Sequence, residues 1–389
     1  MTHQIPGARR ASRALAGLAG VVAAGLALTA CSSSAASPGS SSTAAPVYFG
    51  VSAPVTGQYA EYGTLWKQGF DLALDKVNAE GGIDGHPVAL KWEDSQSDPK
   101  QTVPIAQKFV ADSSIIAELG DFSSPASMAA SATYQQAGLV QYGFTNSHPD
   151  FTNGGDHVWS PSLTQTFFQT FNAGIVAKYA KKVAVVYQET DWGKTAFGIF
   201  SKAAADKGVQ IVYSSSFLPD STDLTPILLK ARDTNPDAVV HIGYGPDGAL
   251  VVKQLREKVG YTGKFFGGQN TPEFLQLAGS AAEGDIISGA FLPTNPDPKV
   301  QEFVKAFKAK YNTDPGDFNV YAYDALVDLV AAAKSGGATR TGVQKGLTTL
   351  PSLPSVQFGS FSFDQKTRRP QKVSQLELIV KDGKFVLNQ

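Results

Sequence analysis

The sequence has 389 residues, 42% of them hydrophobic and 17% charged, which is enough apolar material for the cores of two domains and excludes a wholly disordered chain. Its formal net charge is −1. Setting aside Arg9, Arg10 and Arg13 near the start leaves 30 Lys and Arg against 34 Asp and Glu, a net of −4 that offers no basic face to nucleic acid.

Taken in chain order, the first feature is those three arginines followed by an Ala/Gly/Leu/Val stretch from Ala14 to Ala30, the layout of an export signal. It closes on Leu28-Thr29-Ala30-Cys31, and Cys31 is the only cysteine. This resembles the lipobox of bacterial lipoproteins, which implies that Cys31 is acylated and becomes the mature N-terminus. The Arg9-Arg10 pair also suggests a twin-arginine route, although its flanking residues match that signal poorly. Residues 1–31 are therefore expected to be leader and lipobox, and the Ser/Ala-rich residues 32–45 a flexible tether. No later segment approaches the roughly 20 apolar residues needed to span a bilayer. The expectation is a soluble body held on the outer face of the cell membrane through its lipid alone.

From Val47 the chain alternates short apolar runs with helical patterns. VYFGV reads as a strand, followed by a helix through Trp66, Phe70, Ala73 and Val77 at spacings of four, three and four. Next come VALKWE, a helix from Pro99 to Ala111, SIIAEL, a further helix, and GLVQYGF. The turn before that last helix, GDFSSPAS, places Ser124 as an N-cap and Pro125 as the first helical residue. Backbone N–H groups left free behind them would attract an anion. The pattern restarts after Pro161 with a helix through Phe167, Phe171 and Ile175, then strand VAVVY. It continues through a helix from Lys194 to Lys207, VQIVY, TPILLKARD, DAVVHI, GALVVKQLREKV, KFFGG and DIISGAF. Two amphipathic helices follow, one through Val300, Phe303, Phe307 and Tyr311, the other from Tyr321 to Lys334. The tail holds strand-like FGSFSF and VSQLELIV, with Asp382-Gly383 as a hairpin turn. Strand and helix in alternation predict parallel sheets with right-handed crossovers, an α/β fold.

Three motifs suggest chemistry and each falls short of it. Gly243-Tyr244-Gly245-Pro246-Asp247-Gly248 has dinucleotide-binding spacing, but the next strand ends in Gly267-Gly268-Gln269 where an acid should hold the ribose. A tight turn presenting Tyr244 is the better reading. Ser124 lacks the G-x-S-x-G elbow of a hydrolase. His148, Asp156 and His157 cluster without a metal-ligand spacing, and His241 sits in an apolar strand. No enzyme activity, cofactor or metal is expected.

The motifs PVTGQYAEYG, VNAEGGIDGHPV, EDSQSDPKQTV, GDFSS, FTNSHPDFT and YQETDWGK, in this order, resemble type I periplasmic solute-binding proteins, in the branch that binds leucine, isoleucine and valine for ABC importers. The resemblance covers nearly all of the mature chain. It implies two doubly wound parallel-sheet lobes joined by a three-crossing hinge, with residues 46–163 plus 293–368 in lobe I and 164–292 plus 369–389 in lobe II. It also implies a monomer that closes on a small carboxylate and delivers it to permease subunits driven by cytoplasmic ATPases. Residue by residue, Ser124, beside Ser123, matches the serine that receives the ligand carboxylate. Ser147 matches a threonine contacting both carboxylate and ammonium, and Thr145 contributes backbone groups. Tyr62, Phe122, Trp192 and Tyr244 fall where the family has pocket walls. Gln269 stands where the family has an acid for the ammonium, so an aromatic or other organic acid without the α-amine is the alternative ligand, and a ligand-sensing subunit of a signalling system is the alternative role. Glu189, Asp191 and Asp121 are the acids that could replace it.

Overall fold

The structure, a computed structural model, describes residues 44–371 and 373–388; Cys31 and the tether through residue 43 lie outside the described residues. The first lobe opens with β1 (Val47–Ala53), α1 (Ala60–Ala79), β2 (Val88–Asp94), α2 (Pro99–Ala111), β3 (Ile115–Gly120), α3 (Ser124–Gln136), β4 (Val140–Tyr142) and β5 (Val158–Trp159). Its sheet runs β2-β1-β3-β4-β5 with every neighbouring pair parallel. Such strands are covered on both faces, and accordingly Phe49, Val51 and Ala53 of β1 are fully buried.

The second lobe is built from α4 (Gln165–Tyr179), β6 (Lys182–Gln188), α5 (Asp191–Asp206), β7 (Gln210–Phe217), α6 (Thr225–Asp233), β8 (Ala238–Ile242), α7 (Gly245–Lys253), β9 (Lys264–Phe266), α8 (Pro272–Ala278) and β10 (Ile286–Gly289). The chain then returns: α9 (Pro298–Tyr311), α10 (Asp317–Gly336) and α11 (Arg340–Thr349) cover the first sheet. Phe303, Leu326 and Leu329 join Trp66 and Phe70 of α1 in one core. The approach of α10 is close enough that a Cβ on Gly69 would meet the Asn319 carbonyl at 2.2 Å. A small antiparallel meander of β11 (Leu353–Ser355), β12 (Gly359–Asp364) and β13 (Arg369–Gln371) adds Phe361 and Phe363 to that core. Finally β14 (Leu376–Lys381) and β15 (Lys384–Leu387) form an antiparallel edge on the second sheet, whose order is β15-β14-β10-β9-β8-β6-β7.

The chain thus passes between lobes three times, after β5, after β10 and after β13. The third passage follows Gln371 rather than residue 368, because β13 pairs with β12. Helices α8 and α11 and strands β5, β11 and β13 do not follow from the sequence pattern. A further difference concerns α4. The helix through Phe167, Phe171 and Ile175 is present, but it does not bury that row as a whole: Phe167 is 36% exposed while Gln165 and Gln169 are buried.

Candidate ligand-binding site

The C-terminal ends of the two sheets face each other across a cleft, where crevices of open α/β sheets take ligands. It encloses a cavity of about 180 Å³. Phe122, Ser124, Thr145 and Ser147 line it from the first lobe, Gln165, Trp192, Tyr244 and Gln269 from the second, and Asp317 and Tyr321 from α10. Of the ligand-binding residues expected from the sequence, Tyr62 and Ser123 do not line it.

Ser123 corrects the reading of the opening turn of α3. Its backbone is extended (φ −88°, ψ 138°) and its hydroxyl accepts from the Ala126 N–H (3.4 Å), so Ser123 is the N-cap and Ser124 already helical. The amides behind Pro125 are not free: Ala126 serves Ser123 Oγ, and the Ser127 N–H donates to the Ser123 carbonyl (3.1 Å). The shift by one residue releases the Ser124 side chain from capping. Its oxygen accepts from the His148 N–H (3.3 Å), and Ser147 Oγ accepts from Trp192 Nε1 (3.0 Å) across the cleft. Both serines are buried, and among the described residues neither hydroxyl proton is given to a protein acceptor. Two buried hydroxyls with a donor already on each oxygen have a proton left to offer, which suits an acceptor ligand. Thr145 instead spends its hydroxyl on the Phe122 carbonyl (3.1 Å).

Behind Ser147 lies a residue that sequence reasoning missed. Arg369 of β13 donates to the carbonyls of Asn146 (2.5 Å), Ser162 (3.1 Å) and His148 (2.8 Å) and to Ser160 Oγ (2.7 Å). No carboxylate pairs with it among the described residues. Burial pushes its guanidinium down to about 9, which leaves it charged at neutral pH. The serine turn therefore sits over an uncompensated positive charge.

Gln269 is fixed by what it accepts. Its Oε1 receives the Gly245 N–H (3.0 Å) and the Tyr62 hydroxyl (2.5 Å), and Tyr62 Oη in turn accepts from the same Gly245 N–H (3.1 Å). A backbone N–H cannot reverse its role, so the amide cannot flip, and the side chain has only its NH2 left to present. Tyr62 acts from behind, its ring stacked on Phe122 with centroids 4.0 Å apart. Phe122 touches Tyr244 (5.1 Å), which stacks on Trp192 (5.0 Å), so aromatic rings from both lobes meet.

None of the three substitute acids lines the cavity. Asp121 is buried under α3, accepting from Ser52 (3.1 Å), Ser95 and Ser97 (2.5 Å). Glu189 lies 3.7 Å from Lys194, and Asp191 is largely exposed. Asp317 does line the cavity, and burial pushes its carboxyl up to about 7. Its oxygens are already taken by Asn270 Nδ2 (2.8 Å), the Phe291 N–H (3.1 Å), the Ala290 N–H (3.3 Å) and the Tyr321 hydroxyl (3.4 Å). The GxGxxG segment forms the β8–α7 turn, where Asp247 accepts from the Tyr244 N–H (3.0 Å).

The sequence matches the family described as periplasmic binding protein over residues 46–383. The Leu/Ile/Val-binding protein homolog 1 of Brucella abortus is 28% identical over 328 residues, covering 82% of this chain and 86% of its own. Among solved structures, the branched-chain amino acid transporter substrate binding protein LivJ of Streptococcus pneumoniae, in complex with isoleucine, is 25% identical with a TM-score of 0.80 and coverage of 88% and 100%. A solute binding protein of an ABC transporter from Rhodopseudomonas palustris, in complex with 3,4-dihydroxy benzoic acid, shares the fold at 22% identity and a TM-score of 0.78, with coverage of 87% and 95%.

Proposed function

The chain belongs to the periplasmic binding protein family, in the type I branch of leucine/isoleucine/valine-binding relatives, and on that premise we propose that it is the extracytoplasmic receptor of an ABC importer for a small carboxylate. The observation that carries this reading is the pair of undonated hydroxyls, Ser124 and Ser147, set over the buried charge of Arg369. A carboxylate between them accepts both protons and answers that charge. Because Ser147 bonds Trp192 across the cleft, a ligand held there touches both lobes and favours the closed arrangement, the form a permease would recognise. Lipid on Cys31 would keep this monomeric receptor beside its permease.

Gln269 favours a second, narrower reading, that the ligand lacks an α-amine. An ammonium beside it would meet an amide NH2 instead of an acceptor, and Asp317, the carboxylate that lines the cavity, has its oxygens taken by Asn270, Ala290, Phe291 and Tyr321. Calorimetry with leucine and its deaminated 2-oxo acid tests both. We expect the oxo acid to bind more tightly. Ser124→Ala and Ser147→Ala should each weaken binding by about 1 to 3 kcal/mol, the cost of leaving a buried acceptor short of a donor. Unchanged affinity in both variants overturns the carboxylate receptor; tight leucine binding by the wild type overturns the amine-free reading alone.

A further inference from the structure

The buried face of α4 runs against ordinary amphipathic order. Gln165 is fully buried and Gln169 is 5% exposed, while Phe167 between them is left at the surface. Helices normally hide their phenylalanines and show their glutamines. Gln165, Gln169 and Asn172 follow at spacings of four and three, so they share the stripe of α4 that walls the cavity. Over seven residues that stripe climbs about 10 Å. It starts at the serine turn, where the Gln165 N–H donates to the Ser147 carbonyl (2.7 Å). Gln165 also gives its side-chain NH2 to the Trp192 carbonyl (2.9 Å), which fixes its flip and leaves its oxygen as acceptor. Gln375, buried on the approach to β14, lines the same cavity. The side-chain oxygens of Gln165, Gln169 and Gln375 are all buried and have no partner among the described residues.

A wall meant for an aliphatic side chain gains from leucine or valine at these positions, since a buried acceptor without a donor is costly and an apolar isostere is not. Three such acceptors on one cavity point to a ligand that carries donors. Amide oxygens accept from a hydroxyl as they stand, whereas a buried cation also needs a counter-charge, and no unoccupied carboxylate lines the cavity to supply one. We propose that this wall is a second polar subsite, running from Gln165 along two turns of α4, that recognises hydroxyl groups on the body of the bound carboxylate. The ligand class is then a hydroxylated ring acid. The cavity, at about 180 Å³, is of the order of the roughly 150 Å³ that admits one benzene ring. The inference rests on the carboxylate-receptor reading for the orientation of the ligand.

The test is calorimetry with matched probes: benzoate against 3,4-dihydroxybenzoate, cyclohexanecarboxylate against its 1,3,4,5-tetrahydroxy derivative, and catechol as the acid-free control. At least one hydroxylated acid should bind tenfold or more tighter than its parent. Gln169→Leu and Asn172→Leu should each remove most of that ratio by weakening the hydroxylated acid and sparing the parent, with melting temperature reporting that the variants fold. Parent and hydroxylated acids binding equally, and both weakened by Ser124→Ala, would overturn the subsite and leave the carboxylate reading standing. Catechol binding as tightly as 3,4-dihydroxybenzoate, indifferent to Ser124→Ala, would overturn the carboxylate reading while the subsite stands. Leucine binding more tightly than every hydroxylated acid, or no binding by any of these acids, overturns the subsite.

Discussion

Arg369 grips the carbonyls on either side of Ser147, those of Asn146 and His148, so its effect on a ligand passes through the turn it holds. Lysine at this position keeps the charge but loses the planar fork, and a single ammonium cannot reach four separate acceptors. Hydrogen bonds from charged donors are worth about 1.5 to 3 kcal/mol each. Arg369→Lys should therefore cost stability by about 3 to 5 kcal/mol and weaken carboxylate binding, although Arg369 does not line the cavity. Scanning calorimetry and titration of the same preparation check both; a normal melting temperature with normal affinity would show that the turn holds itself. This residue was illegible in the sequence for a physical reason. It sits in Arg368-Arg369-Pro370, outside any periodic pattern, and its partners lie more than 200 positions away. Ser124, Ser147, Phe122, Trp192 and Tyr244 were legible because strand ends and local motifs mark them.

At the scale of elements, the start of α3 separates the work of two adjacent serines. Ser123 caps and Ser124 faces the cavity, so Ser123→Ala should lower stability by about 1 kcal/mol, the usual cost of a lost cap, and leave ligand affinity unchanged. Ser124→Ala should instead lower affinity, with any loss of stability limited to that of the acceptor it takes from the His148 N–H. Thermal melts and titrations of the pair decide it, and a loss of affinity in Ser123→Ala would return the anion site to the cap. The long elements, such as α1 and α10, were readable from their apolar spacing. Helix α11 was not, since Gly342 and Gly346 read as helix breakers. They are glycine because the backbone of α10 passes directly beside them: a Cβ on Gly346 would meet the Ala332 carbonyl at 2.1 Å. Helix α4 misled for a different reason. Periodicity reports which side chains prefer apolar surroundings, whereas its buried face borders a polar-walled cavity and turns Phe167 outward.

At the scale of the whole molecule, the lobe closure proposed above would bring like charges together. Glu61 of α1 faces Glu273 of α8 and Asp247 of α7 beside the Tyr62–Gly245–Gln269 junction, close enough that a Cβ on Gly245 would lie 3.7 Å from Glu61 Oε1. Oxygens of Glu61 and Glu273 are buried there without partners among the described residues. Burial, then the Glu273 carboxylate and Asp247, pushes Glu61 up to about 7, and burial also raises Glu273. In an opened cleft both would return to water and to ordinary carboxylate values, about 4.3. The closed form then binds the proton more tightly than the open one. Closure is unhindered by this pair below the open-state value, and the hindrance grows as pH rises, reaching its full size once pH passes about 7. Affinity for a carboxylate that stays ionised throughout should accordingly fall several-fold between pH 5.5 and pH 8.5. Glu61→Gln keeps the shape, removes the charge, and should flatten that profile while raising affinity at the alkaline end. An affinity that is level or rising with pH in the wild type, or a slope that persists in Glu61→Gln, would mean that lobe closure does not carry Glu61 out of water. The position of this acid at the junction would then be a matter of packing alone.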